Sequence, residues 1–215
     1  MSQNADEEQE YEERREELVE HISAVRDLDE DVLDAIRSVP RHEFLPEDEH
    51  DRAYVDMPIP IGSGQTVSAP HIVAIMADLP DLEAGEDVLE VGTGCGYHAA
   101  VTAELVGAEH VYTVEYESDL VESARENLAD AGYGDVSVRH GDGREGWPEY
   151  APFDAAYLTC AVPEFPDPLI EQVREGGRLL GPVGVAGQEL ILAEKRDDEL
   201  DEEHHGEVQF VRIQG

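Results

Sequence analysis

Apolar residues along this chain follow two rhythms. Between residues 6 and 39 they recur at intervals of three and four among charged positions: Leu18, Ile22 and Val25, then Val32, Leu33, Ile36 and Val39. Such spacing predicts helix with one buried stripe. Pro40 ends the region, because proline has no N–H to continue a helical ladder. From Arg41 to Pro60 the prolines multiply and the period disappears, which predicts an ordered but irregular connection. Beyond it the rhythm shortens. "DVLEV" (87–91), "HVYTV" (110–114), "DVSVR" (135–139) and "DAAYL" (154–158) have the length and residue types of strands, and helical or looped segments such as "YHAAVTAELVG" and "SDLVESARENLADAG" separate them. Strands alternating with helices predict an α/β fold: a mostly parallel, doubly wound sheet with helices on both faces. "RLLGPV" and "QELILAEK" add two strands around a loop near Gly184, and "EVQFVRI" reads as a last strand. The acidic run "RDDELDEEHH" (196–205) reads as a solvated turn.

The expected organisation is an N-terminal helical extension with its connection over residues 1–60 and a core over 61–215, together one domain. A length of 215 residues suits this. No stretch approaches the eighteen or so apolar residues of a membrane span, and the acidic start "MSQNADEEQEYEERREE" is unlike a secretory signal, so the expected location is cytoplasmic. Cys95 and Cys160 form no CxxC pair or Cys/His cluster, so neither a disulfide framework nor a metal site is expected. Charge changes the picture more. There are 52 acidic residues against 14 basic ones, a formal charge of −38, and the only lysine is Lys195. Apolar periodicity through the middle of the chain argues against disorder. The charge fits a halophilic cytoplasm, because in about 1 M salt the Debye length is only roughly 3 Å and self-repulsion is screened. It also disfavours binding to nucleic-acid backbones.

The candidate chemistry begins directly after "DVLEV", with Gly92-Thr93-Gly94-Cys95-Gly96 followed by a helix. Glycines there allow a sharp turn and close approach of a ligand to backbone N–H groups. Alone, the loop also fits a tight structural turn or, as Gly94-Cys-Gly96-Tyr-His-Ala99, a dinucleotide GxGxxA motif in an NAD(P) oxidoreductase. Glu115 ends the next strand, 21 residues beyond Gly94, where a carboxylate can accept both ribose hydroxyls of an adenosine. Asp142, in "HGDGREG" after the third strand and beside Gly143, can accept from an adenine amino group. Glu90 before the first glycine completes an E-x-G-x-G-x-G pattern. Together these features resemble the Rossmann-like S-adenosylmethionine (SAM) methyltransferases.

Upstream, "AYVDMPIPIGSGQTVSAPHIVAIM" and "VPRHEFLP" resemble the protein-L-isoaspartate O-methyltransferases, which carry a D-x-P-x-x-I-G-x-G-Q-T-[IV]-S-A-P-H block there. The likeness runs in family order from about residue 30 to 213, through "LEVGTGCGYHAAVTAELVG", "VYTVE", "ENLADAGY", "GDGREGWPEYAPFDAAYLTCAVPEFPDPLIEQVREGGRLLGPVG" and "QEL". It implies the SAM-methyltransferase fold, bound S-adenosylmethionine, and methyl esterification of isoaspartyl carboxylates in damaged proteins and peptides; a monomer is the expected state, although the sequence does not determine it. It further implies that Ser68 belongs to the active site, that Ser68, Ala69 and Val211 meet substrate, and that Thr66, His71, Glu90, Gly92, Thr93, Gly94, Gly96, Glu115, Asp142 and Gly143 meet cofactor. Plainer roles stay open for several of these. Thr66 and Ser68 could cap the helix "APHIVAIMADL", His71 could simply begin it, Asp56 could be a turn residue, and Cys95 could only pack. The chain departs from the family at Ser63, often aromatic or histidine, and at Arg212, which stands in place of a proline in the last segment. The altered segment leaves open a SAM-binding homologue without isoaspartyl activity. The charge yields a first test: the melting temperature should rise in molar KCl over dilute buffer, and equal values would refute the halophilic reading.

Overall fold

The computed structural model describes residues 7–197 and 199–215 in full and residues 2–6 as helical backbone, so Met1 and Asp198 lie outside the described residues. Two helices open the chain, α1 (Ser2–Val25) and α2 (Glu30–Ser38). Leu18, Val19 and Ile22 are buried on α1 and Val32, Leu33, Ala35 and Ile36 on α2, as the spacing predicts. Val25 departs from that stripe, being 62% exposed where α1 ends. The connection is ordered through two short 3₁₀ turns, Arg41–Phe44 and Glu47–Arg52. A small antiparallel hairpin follows, β1 (Ile59–Gly62) and β2 (Gln65–Val67), and then α3 (Pro70–Asp78).

The main sheet comprises β3 (Val88–Val91), β4 (Val111–Glu115), β5 (Ser137–His140), β6 (Phe153–Leu158), β7 (Val173–Val183), β8 (Gln188–Arg196) and β9 (Glu199–Val208). Their order across the sheet is β5-β4-β3-β6-β7-β8-β9. Pairs from β5 to β7 are parallel and the last two antiparallel, so the sheet is mostly parallel, as expected. The connections α4 (Tyr97–Val106) and α5 (Ser118–Asp130) cover one face together with α1, α2 and α3, and α6 (Asp167–Gln172) covers the other. Period-two alternation divides β3 between them: Val88 joins the first core cluster, Leu89 and Val91 the second.

Two expectations at the end of the chain need correction. Residues 199–205 are not a solvated turn but most of β9, the sheet's edge strand, whose side chains are mostly exposed, with Leu200, His205 and Val208 half-buried. An edge strand pairs through its backbone and needs no apolar face, and charges on it discourage pairing with another chain. "EVQFVRI" is correspondingly not a strand of its own. Pairing stops at Val208, and the remainder runs as irregular chain with one parallel bridge, Ala161 to Arg212. The solitary lysine, Lys195, is buried, and its Nζ donates to the carbonyls of Ile170 (2.9 Å) and Val173 (3.1 Å) where α6 ends. Among the described residues no helix is long and apolar enough to cross a membrane.

The first core cluster spans the boundary expected at residue 60, joining α1 and α2 to β1, α3 and α4. At the seam with the extension His42 is stacked on Tyr11, ring centroids 3.9 Å apart, with Nδ1 2.8 Å from the Tyr54 hydroxyl. Burial pushes its pKa down to about 4, so the folded state holds it neutral. The unfolded chain binds that proton near pH 6.5, so the stabilisation is complete above 6.5 and is lost as pH falls toward 4. The stability difference between the native protein and His42→Phe should therefore shrink by up to about 1.4 kcal/mol per pH unit below 6, read from urea midpoints. Comparing the two proteins cancels the many carboxylates they share, and a pH-independent difference would refute the assignment.

Candidate active site

The C-terminal ends of the parallel strands open into a cleft of about 540 Å³, lined by Val91 at the end of β3 and Gly92 after it, Val114, Glu115 and Tyr116 at β4, Gly143 after β5 and Thr159 and Cys160 after β6. This is where ligands bind in open parallel sheets. Ile61, Gln65 and Thr66 of the hairpin, and residues 211–214 of the terminal segment, complete the wall.

Glu115 organises the cleft. It is 6% exposed, and its Oε2 accepts the Gly94 N–H at 2.9 Å while Oε1 accepts those of Tyr116 and Glu117, each at 2.9 Å. A carboxylate offers about four lone-pair sites, so at least one remains for a hydroxyl in the cleft. Two glycines are needed for steric reasons. A Cβ on Gly92, whose φ is +99°, would lie 2.3 Å from Thr159 Oγ1, and one on Gly143 would lie 2.3 Å from Val91 Cγ1. The Thr159 hydroxyl donates to the Gly92 carbonyl (2.5 Å), and Asn127 Nδ2 to that of Cys95 (3.0 Å), so the glycine loop is anchored from two sides.

A second, open cleft of about 1050 Å³ adjoins the first and shares Thr66, Thr159 and Val211 with it. Its walls include Ser68, Ala69, His71 and Ile72 on one side and residues 207–211 on the other. Helix α3 begins at Pro70 with Ala69 as N-cap and no side-chain cap, so neither Thr66 nor Ser68 has the capping role left open above. Among the described residues neither hydroxyl has an intramolecular partner. Asp56 is more than a turn residue, since its Oδ1 accepts both the His71 backbone N–H (3.0 Å) and Nδ1–H (2.8 Å) and so fixes the imidazole at the cleft wall. Phe210 is held in strand-like form by one side chain: Gln188 Oε1 accepts its N–H (2.6 Å) and Nε2 donates to its carbonyl (3.1 Å).

Of the residues expected at cofactor and substrate, Thr66, Gly92, Gly94, Glu115, Gly143 and Val211 line the first cleft, and Ser68, Ala69 and His71 the second. His71 thus stands at the second cleft rather than the first. Thr93 lines a small cavity beneath the loop, its hydroxyl 2.6 Å from that of Thr113. Three residues lie outside these walls. Glu90 is fully buried under the loop, with Oε2 accepting from the Thr113 hydroxyl, and burial pushes its pKa up to about 8, so it is a neutral acid at pH 7. Gly96 is the left-handed N-cap of α4, where a Cβ would press on Leu128. Asp142 is paired with Arg144, which donates from N, Nε and Nη2 and lowers the carboxyl pKa, and its neighbour Gly143 is what reaches the cleft. Burial raises the Cys95 thiol to about 11, so it packs rather than reacts. Arg212 donates to the Val185 carbonyl at 2.7 Å and is itself part of the first cleft's wall. Thr159 and Gln188 escaped the sequence reading. Thr159, as the residue after a central parallel strand, was open to recognition by position, whereas Gln188 is one amide in an ordinary strand.

Comparison with known proteins agrees with this geometry. Residues 13–215 match the family model described as protein-L-isoaspartate(D-aspartate) O-methyltransferase (PCMT). Protein-L-isoaspartate O-methyltransferase 2 of Archaeoglobus fulgidus is 50% identical over 207 residues, covering 95% of this chain and 94% of its own. A solved protein-L-isoaspartate O-methyltransferase superposes with a TM-score of 0.86 at 30% identity, covering 94% of this chain, which spans 66% of that protein. A Plasmodium falciparum protein described as the same enzyme, crystallised with S-adenosyl-L-homocysteine, superposes with a TM-score of 0.81 at 25% identity over 93% of this chain and 98% of its own. With a match over nearly its whole length, and with adjoining clefts at the exits of a parallel sheet, the chain belongs to the protein-L-isoaspartate O-methyltransferase family.

Proposed function

We propose that this chain transfers a methyl group from S-adenosylmethionine to the free carboxylate of L-isoaspartyl residues in damaged proteins and peptides. The observation that carries the reading is the junction of the clefts at Thr66, Thr159 and Val211, where a ligand under the glycine loop and one along the Ser68 wall can meet. The first cleft fits a nucleoside: Glu115 keeps a free lone pair, and Gly92, Gly94 and Gly143 give it a wall of bare backbone. S-adenosylmethionine supplies a methyl group already activated by positive charge on sulfur. The acceptor is ionised at neutral pH, because such carboxyls titrate near 4. No general base is therefore needed, and the protein has to dehydrate and aim one oxygen, an effect worth about 7–11 kcal/mol at best.

Ser68 and Thr66 are suited to that task, since their hydroxyls have no other partner among the described residues and can donate to the carboxylate that the cleft strips of water. Ser68 acts in this reading as an orienting donor, not as a nucleophile. His71, held by Asp56, and the backbone of residues 209–211 give a peptide two walls between which the lengthened isoaspartyl backbone fits and the ordinary aspartyl oxygen stays out of line. Glu115 receives the ribose hydroxyls. For Asp142 to accept from adenine, its grip on Arg144 must open. Both clefts are built from one chain, as a monomeric enzyme requires, and the charge of −38 supports a salt-rich cytoplasm as its setting.

Tritiated methyl transfer in high salt tests the reading. Base-labile label should appear on an isoaspartyl peptide and not on its aspartyl isomer, and label on neither, with cofactor binding intact, would point to a homologue with another substrate. The division of labour is tested separately. Ser68→Ala should lower turnover at least tenfold with S-adenosylhomocysteine affinity changed less than threefold, whereas Glu115→Ala should weaken that affinity more than it slows turnover. Equal losses in both quantities for both variants would refute it.

A further inference from the structure

Arg41 is the largest fully buried side chain, with no exposed surface, although it begins a 3₁₀ turn in the irregular connection. A buried guanidinium is expensive unless its five N–H groups are satisfied. Here Nη2 donates to the backbone carbonyl of Ser68 at 3.0 Å and the Tyr97 side chain is the other polar neighbour, while Nε and Nη1 lack a well-aligned acceptor among the described residues. The guanidinium carbon also lies 4.8 Å from the centre of the Tyr97 ring. Tyr97 is buried, is the first residue of α4, and follows the glycine loop directly. One cation therefore touches two elements. It holds the carbonyl of the Ser68 wall and covers the aromatic ring at the foot of the cofactor loop.

We propose that Arg41 is a positioning residue that sets the separation between the substrate wall at Ser68 and the cofactor loop at Gly92–Gly96. The inference rests on the reading of Ser68 as part of the substrate wall. In-line transfer requires that the wall and the loop keep one spacing, and a displacement of about 1 Å can cost on the order of 100-fold in rate. The side chain is poorly placed for stability alone, because a cation with two nitrogens short of a well-aligned acceptor is a liability in a core. An apolar side chain of similar length would fill the same space without that liability. Arg41 also gives the N-terminal extension a part in catalysis, since it precedes the 61–215 core and nevertheless reaches its active-site wall.

The test uses Arg41→Met, which keeps length and removes charge and donors, and Arg41→Lys, which keeps charge but offers an ammonium instead of a planar fork. Three quantities are measured on the full chain in high salt: kcat on an isoaspartyl peptide, the Kd of S-adenosylhomocysteine, and amide hydrogen exchange at residues 66–69. For Arg41→Met the expectation is a kcat at least tenfold lower, a Kd within threefold of the native value, and exchange in the wall at least tenfold faster with β3 and β4 unchanged. Arg41→Lys should show the same pattern with smaller factors, and it decides the matter if the methionine variant does not fold. Unchanged exchange in the wall, kcat within threefold of native, or equal losses in kcat and affinity would each overturn the assignment. If the native protein does not methylate the peptide, the functional reading fails on its own, and the exchange measurement still decides whether Arg41 holds the wall.

Discussion

The site depends on the carboxylate of Glu115 and the three backbone N–H groups it accepts. It closes β4 upon itself through Tyr116 and Glu117 and ties β4 to the glycine loop that leaves β3 through Gly94. Hydrogen bonds to a charged group contribute about 1.5–3 kcal/mol each, enough to hold a loop that glycine would otherwise leave free. Once those bonds are made, the loop has one shape, the cleft has one floor, and the remaining acceptor capacity faces the cleft. One side chain thus both orders the loop and lines the cleft.

Glu90 shows how much placement decides. It lies on the neighbouring strand, aligned with Thr113 of β4, and its carboxyl is neutral at pH 7 because burial outweighs the hydrogen bonds from the Thr113 and Tyr157 hydroxyls. Beside it lies a buried polar layer: Thr93 against Thr113, Tyr157 against Thr102, and His98, whose pKa burial pushes down to about 3. Both ionisable members are uncharged near neutral pH, as a dry layer beneath a loop requires. The acidic residue before the first glycine thus lies beneath the loop, outside the cleft walls.

Much of this was legible in the residues. The four strands 87–91, 110–114, 135–139 and 154–158 lie within two residues of β3, β4, β5 and β6, because buried parallel strands are dense in apolar and β-branched residues. Glu115 was legible because its position at a strand exit and its distance from the glycines both follow from the βαβ unit. Glu90 was not, because a pattern of spacings does not say which way a strand side chain points, and alternation turns Glu90 to the face that α4 covers. The pairing of Asp142 with Arg144 was not legible, because the partner is only two residues away and nothing in the spacing says that it takes the same oxygens. At the end of the chain, β9 lacks the apolar alternation that marks a half-buried strand, while "VQFV" has strand-like residues but leaves the sheet after Val208, with Phe210 held by the Gln188 amide and the Val211 carbonyl by the Ala161 N–H. Arg41 looked like one more charge in a loop, and only the fold could show it enclosed.

The burial of Lys195 reaches beyond the end of α6. With its amine held between two carbonyls and no other lysine in the chain, the surface presents cationic charge through arginine and histidine alone. Acylating, glycating or crosslinking reagents that seek side-chain amines find none exposed, so an enzyme that handles chemically aged proteins has itself been relieved of one of the commonest targets of such ageing.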